Sequence, residues 1–326
     1  MKLGIIILNY NTADDCVNCV DSIFLTLNDI SYHIYIVDNC STDDSFKVLN
    51  SKYNNNEYVS ILLADKNGGF SYGNNLGIYK AQEDACDYLL ISNPDVIYYD
   101  NSIESMIESI RKEKKIAVVG PSCKSLDEDE SQLFRKPYNT LIYTFSKKPF
   151  RYFRFFKFLQ SEYYPSNNDK KGLFIFNGMV RGCCFLIETK LFEELELFDD
   201  NLFLYCEEWV IAKKMQSKNY LCACDFNSRI LHKEASSTNK KGSAFQTFHL
   251  YLSSFYYMKI YNKTNYLILF IFYLSNIIAF GIRAIFNKNF RGLQKSFLKK
   301  QTGLMFSNRD KKNIKNKIFL KGDDNG

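Results

Sequence analysis

Short apolar runs alternate with helix-patterned segments across the first 120 residues, and this alternation restricts the fold more than any single motif. Residues 3–8 are apolar almost without a break, as in a strand covered on both faces. Cys16, Val17, Val20, Ile23, Phe24 and Leu27 then recur at helical spacing, with Asp14 and Asp15 in the first turn, where anions are favoured. Further strands are read at 34–37, 59–63, 88–91 and 116–119. Helices fall between them: one from about Asp43, capped by Ser41 or Thr42, one over 70–81 and one over 101–112. This rhythm predicts an α/β fold, a mostly parallel Rossmann-like sheet flanked by helices.

At 326 residues and 46% hydrophobic content the chain can bury a large core. Residues 1–240 read as the α/β domain, with 125–170 a variable insertion. Strands resume at 173–176 and 183–187, and a helix is read from Glu207 to Lys218. Residues 241–326 read as a helical region with an apolar stretch at 266–286 and a mobile basic tail. The net charge of +6 is too modest to point to nucleic acid. No signal peptide is read at the N-terminus, and ten scattered cysteines fit reduced thiols in the cytoplasm. Cys16-x-x-Cys19 and Cys222-x-Cys224 lack the partner ligands of a zinc site.

The strand ends carry the chemistry. In an open α/β sheet, ligands bind beyond the carboxyl ends of the strands. Strand one ends in Asn9-Tyr10-Asn11, strand two in Asp38-Asn39, and strand four in Asn93-Pro94-Asp95. Tyr10 can stack on a base, Asp38 can accept an imide N–H, and Asp95 can hold a divalent cation. Asp38 is read as free of capping work, since 41–44 cover it. The loop from Asp38 is not an EF-hand, because Asp43 and Leu49 stand at its glycine and glutamate positions. Asn67-Gly68-Gly69 has no Gly-Lys-Ser/Thr after it and is not a P-loop. Gly68-Gly69 can face a ligand, whereas Gly73 and Gly77 read as a smooth stripe for close helix packing. Phe198-Asp199-Asp200 and Glu207-Glu208 form a second acidic region, in which a carboxylate can serve as general base or simply favour a helix start. His232 reads equally as a ligand for the ion at Asp95 or a core histidine.

In order and spacing these motifs resemble the family-two inverting glycosyltransferases, especially the rhamnosyltransferase-like branch. The resemblance rests on Ile7 to Asn11, Val37 to Asp43, Asn67 to Gly77, Asn93-Pro94-Asp95, Gly182, Phe198 to Glu208, and His232. It implies a GT-A fold, a nucleotide-diphosphosugar donor (dTDP-rhamnose-like or a UDP-sugar) and Mg²⁺ or Mn²⁺. Tyr10 and Asp38 would hold the base, within a donor-binding set that also includes Asn9, Asn11, Asn39, Gly68, Gly69 and Asn74. Asn93 would lie near the ribose and Gly182 under the sugar. Asp95 and His232 would hold the metal. Glu208 matches the catalytic position, with Glu207 the fallback. The chain departs from the pattern in having Glu208 where Asp is usual, Trp209 after it and Val210 in place of a further acidic residue.

The acceptor implied is a glycan or lipid-linked glycan of cell-surface polysaccharide synthesis. Residues 145–164 interleave aromatics with Lys147, Lys148, Arg151, Arg154 and Lys157, which suits an anionic membrane surface. Residues 267–282 are apolar but short of the ~20 needed to span a bilayer, so they read first as surface-lying, then as buried or dimer-forming, and last as a true span. The expected location is the inner face of the cell membrane, peripherally bound. Two other readings compete: a catalytically silent nucleotide-sugar-binding subunit, and a nucleotidyltransferase. The latter needs a glycine-rich loop after strand one that Asn9 to Thr12 do not supply.

Overall fold

A computed structural model gives the fold, and the structure describes residues 1–27, 30–125, 172–233 and 243–310. The aromatic-basic segment at 145–164 lies outside the described residues. Among them, nine strands form one sheet in the order β3-β2-β1-β4-β8-β6-β9-β5, with β7 also paired to β9. β1 (Lys2–Asn9), β2 (Ser31–Asp38), β3 (Val59–Leu63) and β4 (Tyr88–Ser92) are parallel neighbours. They are joined in succession by α1 (Ala13–Thr26), α2 (Ser45–Tyr53) and α3 (Gly69–Glu83). β1 is central and covered on both faces. Ile5 and Ile7 pack with Cys16, Val20 and Ile23 of α1, while Ile6 joins Ile78 and Ala81 of α3. All three isoleucines are fully buried, which is why the run lacks the alternation of a half-exposed strand.

Beyond β4 the sheet is mixed. β8 (Cys184–Glu188) is antiparallel to β4 and to β6 (Ile116–Ser125). β9 (Leu221–His232) pairs parallel with β6 and antiparallel with β5 (Val96–Tyr98) and β7 (Leu173–Phe176). Parallel pairing, as expected, runs through β3-β2-β1-β4 and recurs at β6–β9, while β5, β7 and β8 pair antiparallel. A parallel neighbour needs a long crossover, and no helix separates β4 from β5. α4 (Ser102–Lys112) follows β5, α5 (Thr189–Glu194) follows β8, and α6 (Glu207–Ser217) precedes β9.

Three helices complete the described chain: α7 (Ala244–Ile260), α8 (Tyr266–Phe286) and α9 (Lys288–Phe306). α7 opens with a capping box between Ser243 and Gln246. The lysine-rich stretch expected to be a mobile tail is helix α9 as far as Phe306. Its Phe290, Phe297, Gln301 and Leu304 recur on one buried face, and the lysines occupy the other. Buried Lys259 of α7 donates to the carbonyls of Leu304, Met305 and Ser307, capping α9 from outside. Leu202, Cys206, Trp209 and Val210 share a core with these helices, and Trp209 meets Tyr257 edge-on at 5.5 Å. Trp209 and Val210, unusual beside the acidic pair, are thus the surface on which α7 docks.

Candidate functional site

β1, β2 and β4 bring their carboxyl ends together, since Asn9 is in register with Asp38 and Ile7 with Ser92. A cleft of about 490 Å³ opens there, within the roughly 300–1,000 Å³ usual for small-molecule sites. One wall comprises Tyr10, Asn39, Asn67, Gly69 and Phe70, the floor Asn93, Pro94, Asp95 and His232. Phe203, whose carbonyl accepts from Phe70 N–H at 2.8 Å, completes the lining with Leu204, Tyr205, Ser243, Phe245 and Gln246.

Asp95 and His232 are placed by strand pairing. Asn93 N–H donates to the Cys183 carbonyl at 2.8 Å, so Asn93-Pro94-Asp95 links β4 to β5 and does not start a helix. Val96 pairs with His232 across the β5–β9 ladder, and His232 Nε2 lies 3.1 Å from Asp95 Oδ1. Burial is the largest influence and works against a charged ring at His232, but the interactions with Asp95 and Cys123 together outweigh it and push His232 up to about 9. The Asp95 carboxylate is a hard donor suited to Mg²⁺ or Mn²⁺, and the His232 imidazole beside it is a borderline nitrogen donor.

Glu208 and Gly182 are not among the residues that line the cleft, but they meet each other. Gly182 N–H donates to Glu208 Oε1 at 3.2 Å, and a Cβ on Gly182 would come within 2.6 Å of that oxygen. Glycine at 182 is therefore what lets the carboxylate lie against the backbone. Glu208 is half-buried, whereas Glu207 is enclosed, with Oε1 lacking a hydrogen-bond partner. Burial and the Glu208 charge raise Glu207 well above the usual carboxylate range. The two precede the rest of α6 after Tyr205 and Cys206, both left-handed at φ 72° and 73°. Left-handed backbone at such side chains costs roughly 1–2 kcal/mol per residue, and here it turns Tyr205 into the cleft wall.

Other candidates are placed differently. Asp38 is fully buried: Oδ2 accepts from Asn9 Nδ2 and Ser41 Oγ, both at 2.7 Å, and Oδ1 accepts from Ser41 N–H at 2.8 Å. It does have a structural task, contrary to expectation, and with Ser41 so engaged Asp44 becomes the N-cap of α2. Asn11 bonds Thr42 on the exposed rim. Asn39 Nδ2 donates to Asn67 and to the Gly69 carbonyl, holding the Gly68-Gly69 turn in place. Gly69 has φ 85° and its Cβ position is filled by the Phe203 backbone. Gly73 and Gly77 serve packing, as expected, against Leu8 and Ile6. Asn74 is buried inside α3, bonded to the Phe70 carbonyl, and does not line the cleft. The acidic pair at 199–200 is also structural. Despite its burial, bonds from Tyr261, Asn201 and Tyr256 hold Asp199 below the usual carboxylate range, and Asp200 accepts from Asn75 at 2.6 Å.

The sequence reading missed the part of the lining that α7 supplies. The Ser243-x-x-Gln246 capping signature was there to be read, but only the fold brings Phe245 and Gln246 into one cleft with Tyr10. It also missed the grouping of Cys123 and Cys183 with His232.

The profile of Glycosyl transferase family 2 matches residues 4–195. Glycosyltransferase GlyG of Streptococcus pneumoniae is 27% identical over 118 residues, 36% of this chain and 38% of that protein. Chondroitin synthase of Escherichia coli is 30% identical over 152 residues, 44% of this chain and 20% of that protein. The chain therefore spans well under two thirds of either relative. N-acetylglucosaminyl-diphospho-decaprenol L-rhamnosyltransferase of Mycobacterium tuberculosis is 21% identical over 232 residues, 66% of this chain and 71% of that protein. Among solved structures, GalNAc-T7 with UDP, GalNAc and Mn²⁺ superposes with a TM-score of 0.60 at 14% identity, covering 80% of this chain and 48% of that one. A mannosyltransferase from Pyrobaculum calidifontis with GDP-Man and Mn²⁺ gives 0.54 at 13% identity, covering 93% and 84%. At these identities the likeness is one of fold, the GT-A architecture.

Proposed function

This chain belongs to glycosyl transferase family 2, and from that premise we propose that it moves a sugar from a nucleotide-diphosphosugar to a hydroxyl of a glycan or lipid-linked glycan. The observation that carries the proposal is the cleft at the carboxyl ends of β1, β2 and β4, lined by Tyr10 and Asn93 and by the paired Asp95 and His232. Support also comes from the rhamnosyltransferase and chondroitin synthase among the relatives, both named for glycan products or acceptors. A dTDP- or UDP-sugar suits the cleft. The base stacks on Tyr10, in a pocket that Asp38 shapes from behind by fixing Asn9 and Ser41. Asn93 faces the ribose and Gly182 underlies the sugar. Mg²⁺ or Mn²⁺ held by Asp95 and His232 supplies charge neutralisation for the departing diphosphate.

Glu208 takes the proton from the acceptor hydroxyl. That oxygen attacks the anomeric carbon from the face opposite the diphosphate, the glycosidic bond forms as the carbon–oxygen bond to diphosphate breaks, and configuration inverts. One protein carboxylate suffices, because diphosphate leaves without protonation, unlike the alcohols released by glycosidases. Glu207 is enclosed and burial disfavours its charged form, so the role of base is assigned to Glu208. The Glu208→Gln variant should lose roughly 10²–10⁴-fold in transfer while still being stabilised by donor and Mn²⁺ in a thermal-shift assay. Transfer at the unaltered rate with the true acceptor would sink the assignment, and donor binding without transfer by the unaltered protein would favour the silent-subunit reading. We place the protein at the inner face of the membrane, in surface polysaccharide synthesis, with α8 as the attachment.

A further inference from the structure

Behind the cleft floor, His232 is joined by two thiols that the transfer reaction does not use. β6 brings Cys123, the turn before β8 brings Cys183, and the end of β9 brings His232. One ligand atom from each lies within 4.8 Å of the other two, and all three residues are buried. Tetrahedral zinc with Zn–S bonds of about 2.3 Å holds its sulfurs about 3.8 Å apart, so the group needs at most a small contraction. His232 is 8% exposed, its Nε2 is engaged with Asp95 at 3.1 Å, and its Nδ1 has no hydrogen-bond partner. A histidine bonded to a carboxylate through one nitrogen presents the other as a metal ligand of fixed orientation. A small cavity of about 10 Å³, lined by Cys123, Arg181 and Cys183 among others, adjoins the thiols. The irregular β6–β9 pairing at Pro121 and Ser122 opens the sheet at this point.

We propose that Cys123, Cys183 and His232 form a binding site for a thiophilic divalent cation, Zn²⁺ by preference, with Asp95 orienting the imidazole from behind. Two thiolates and a neutral imidazole make a soft donor set, unlike the oxygen-rich surroundings that Mg²⁺ and Mn²⁺ require. On binding, the protons held by the thiols and the Nδ1 proton of the His232 imidazolium pass to solvent, and two sulfurs and Nδ1 coordinate the ion, whose charge the two thiolates cancel. The Arg181 guanidinium, 4.0 Å from Cys123 Sγ, favours the thiolate form. A fourth position remains for water. The site takes His232 through Nδ1 while Nε2 stays on Asp95, so it and a metal held jointly by Asp95 and His232 exclude one another; it does not rest on the transfer reading, since it is detected through sulfur–metal bonds.

The full-length protein, reduced and freed of metal by chelation, is titrated with Co²⁺. A sulfur-to-cobalt charge-transfer band should grow to one equivalent and vanish on addition of Zn²⁺. Cys123→Ser and Cys183→Ser should each abolish the band, Cys40→Ser should retain it, and Asp95→Asn should keep it while weakening zinc binding roughly tenfold. Should the serine variants fold poorly, the unaltered protein still decides. Zn²⁺, but not Mg²⁺, should slow alkylation of Cys123 and Cys183, mapped by mass spectrometry, by roughly tenfold or more, because ligation removes the free thiolate. A cobalt complex without the band, or alkylation of both cysteines indifferent to Zn²⁺, overturns the proposal.

Discussion

Neighbouring glutamates at the start of α6 have been sorted by burial into different states. Glu207 is enclosed and Glu208 is half-buried against Gly182. Because burial raises Glu207 in the folded protein, the native state binds its proton more tightly than the unfolded chain does. The stability it contributes is present in full below the unfolded pKa of about 4.3 and is lost as pH rises towards the folded value. A neutral amide at this position escapes that loss. Glu207→Gln should therefore gain in melting temperature relative to the unaltered protein as pH is raised from 4 to 7, and transfer should survive. A constant difference across that range would show that Glu207 is ionised in the folded state. Which glutamate does which could not be read from the sequence, because adjacent residues on a helix point about 100° apart and only packing decides the face turned to the core. Asp38 carries the same lesson. The spacing of polar strand ends was legible, but the inward turn of its carboxylate towards Asn9 and Ser41 depended on two side chains from other segments.

The parallel half of the sheet was legible because each strand is a short apolar run and each connection a helix with a periodic face. β5 was not, because Val96–Tyr98 is three residues long and its pairing partner lies over a hundred positions away in β9. α9 was read as tail because its lysines dominate the composition, although Phe290, Phe297 and Leu304 mark a buried face at helical spacing. At α3 the sequence reading was sound in a way that can be measured. A Cβ on Gly77 would lie 2.6 Å from Ile6 Cγ2 and 3.0 Å from Val37 Cγ2. Both neighbours are β-branched, fully buried and fixed in central strands, so neither can swing aside. Alanine gains about 1 kcal/mol of helix propensity over glycine, while overpacking costs typically about 1–3 kcal/mol. Gly77→Ala should thus come out up to about 2 kcal/mol less stable in urea unfolding, with the slope unchanged. A stabilised variant would mean that α3 does not press on the sheet as described.

Seen as a whole, the molecule has a donor cleft at one sheet edge and an unpartnered apolar face on its helical region. α8 is 21 residues long with mean hydropathy 2.0, so the expected shortness of its apolar run does not hold, and at about 1.5 Å per residue it measures about 32 Å, enough to cross a bilayer. Its inner stripe, Leu269, Phe272, Asn276, Phe280 and Ala284, packs into the core with α7 and α9. Its outer stripe, Leu267, Phe270, Ile271, Leu274, Ile278, Ile282 and Ile285, is exposed. Length alone would allow a span, but α9 packs along α8 with Lys288, Arg291, Lys295 and Lys299 on its exposed side. Drawing these into hydrocarbon costs about 2.5–3.5 kcal/mol each at the bilayer centre, whereas at the interface each gains about 1 kcal/mol from anionic lipid. The pair is therefore expected to lie in the membrane plane, with the isoleucines in the acyl boundary and the lysines among the headgroups. The protein should co-sediment with phosphatidylglycerol vesicles at physiological salt, less with neutral phosphatidylcholine. Ile278→Glu with Ile282→Glu should release it while leaving donor-induced thermal stabilisation intact. If the unaltered protein ignores both kinds of vesicle and instead sediments as a dimer that the double variant dissociates, the apolar face is covered by a second copy of the chain and the lipid assignment is wrong.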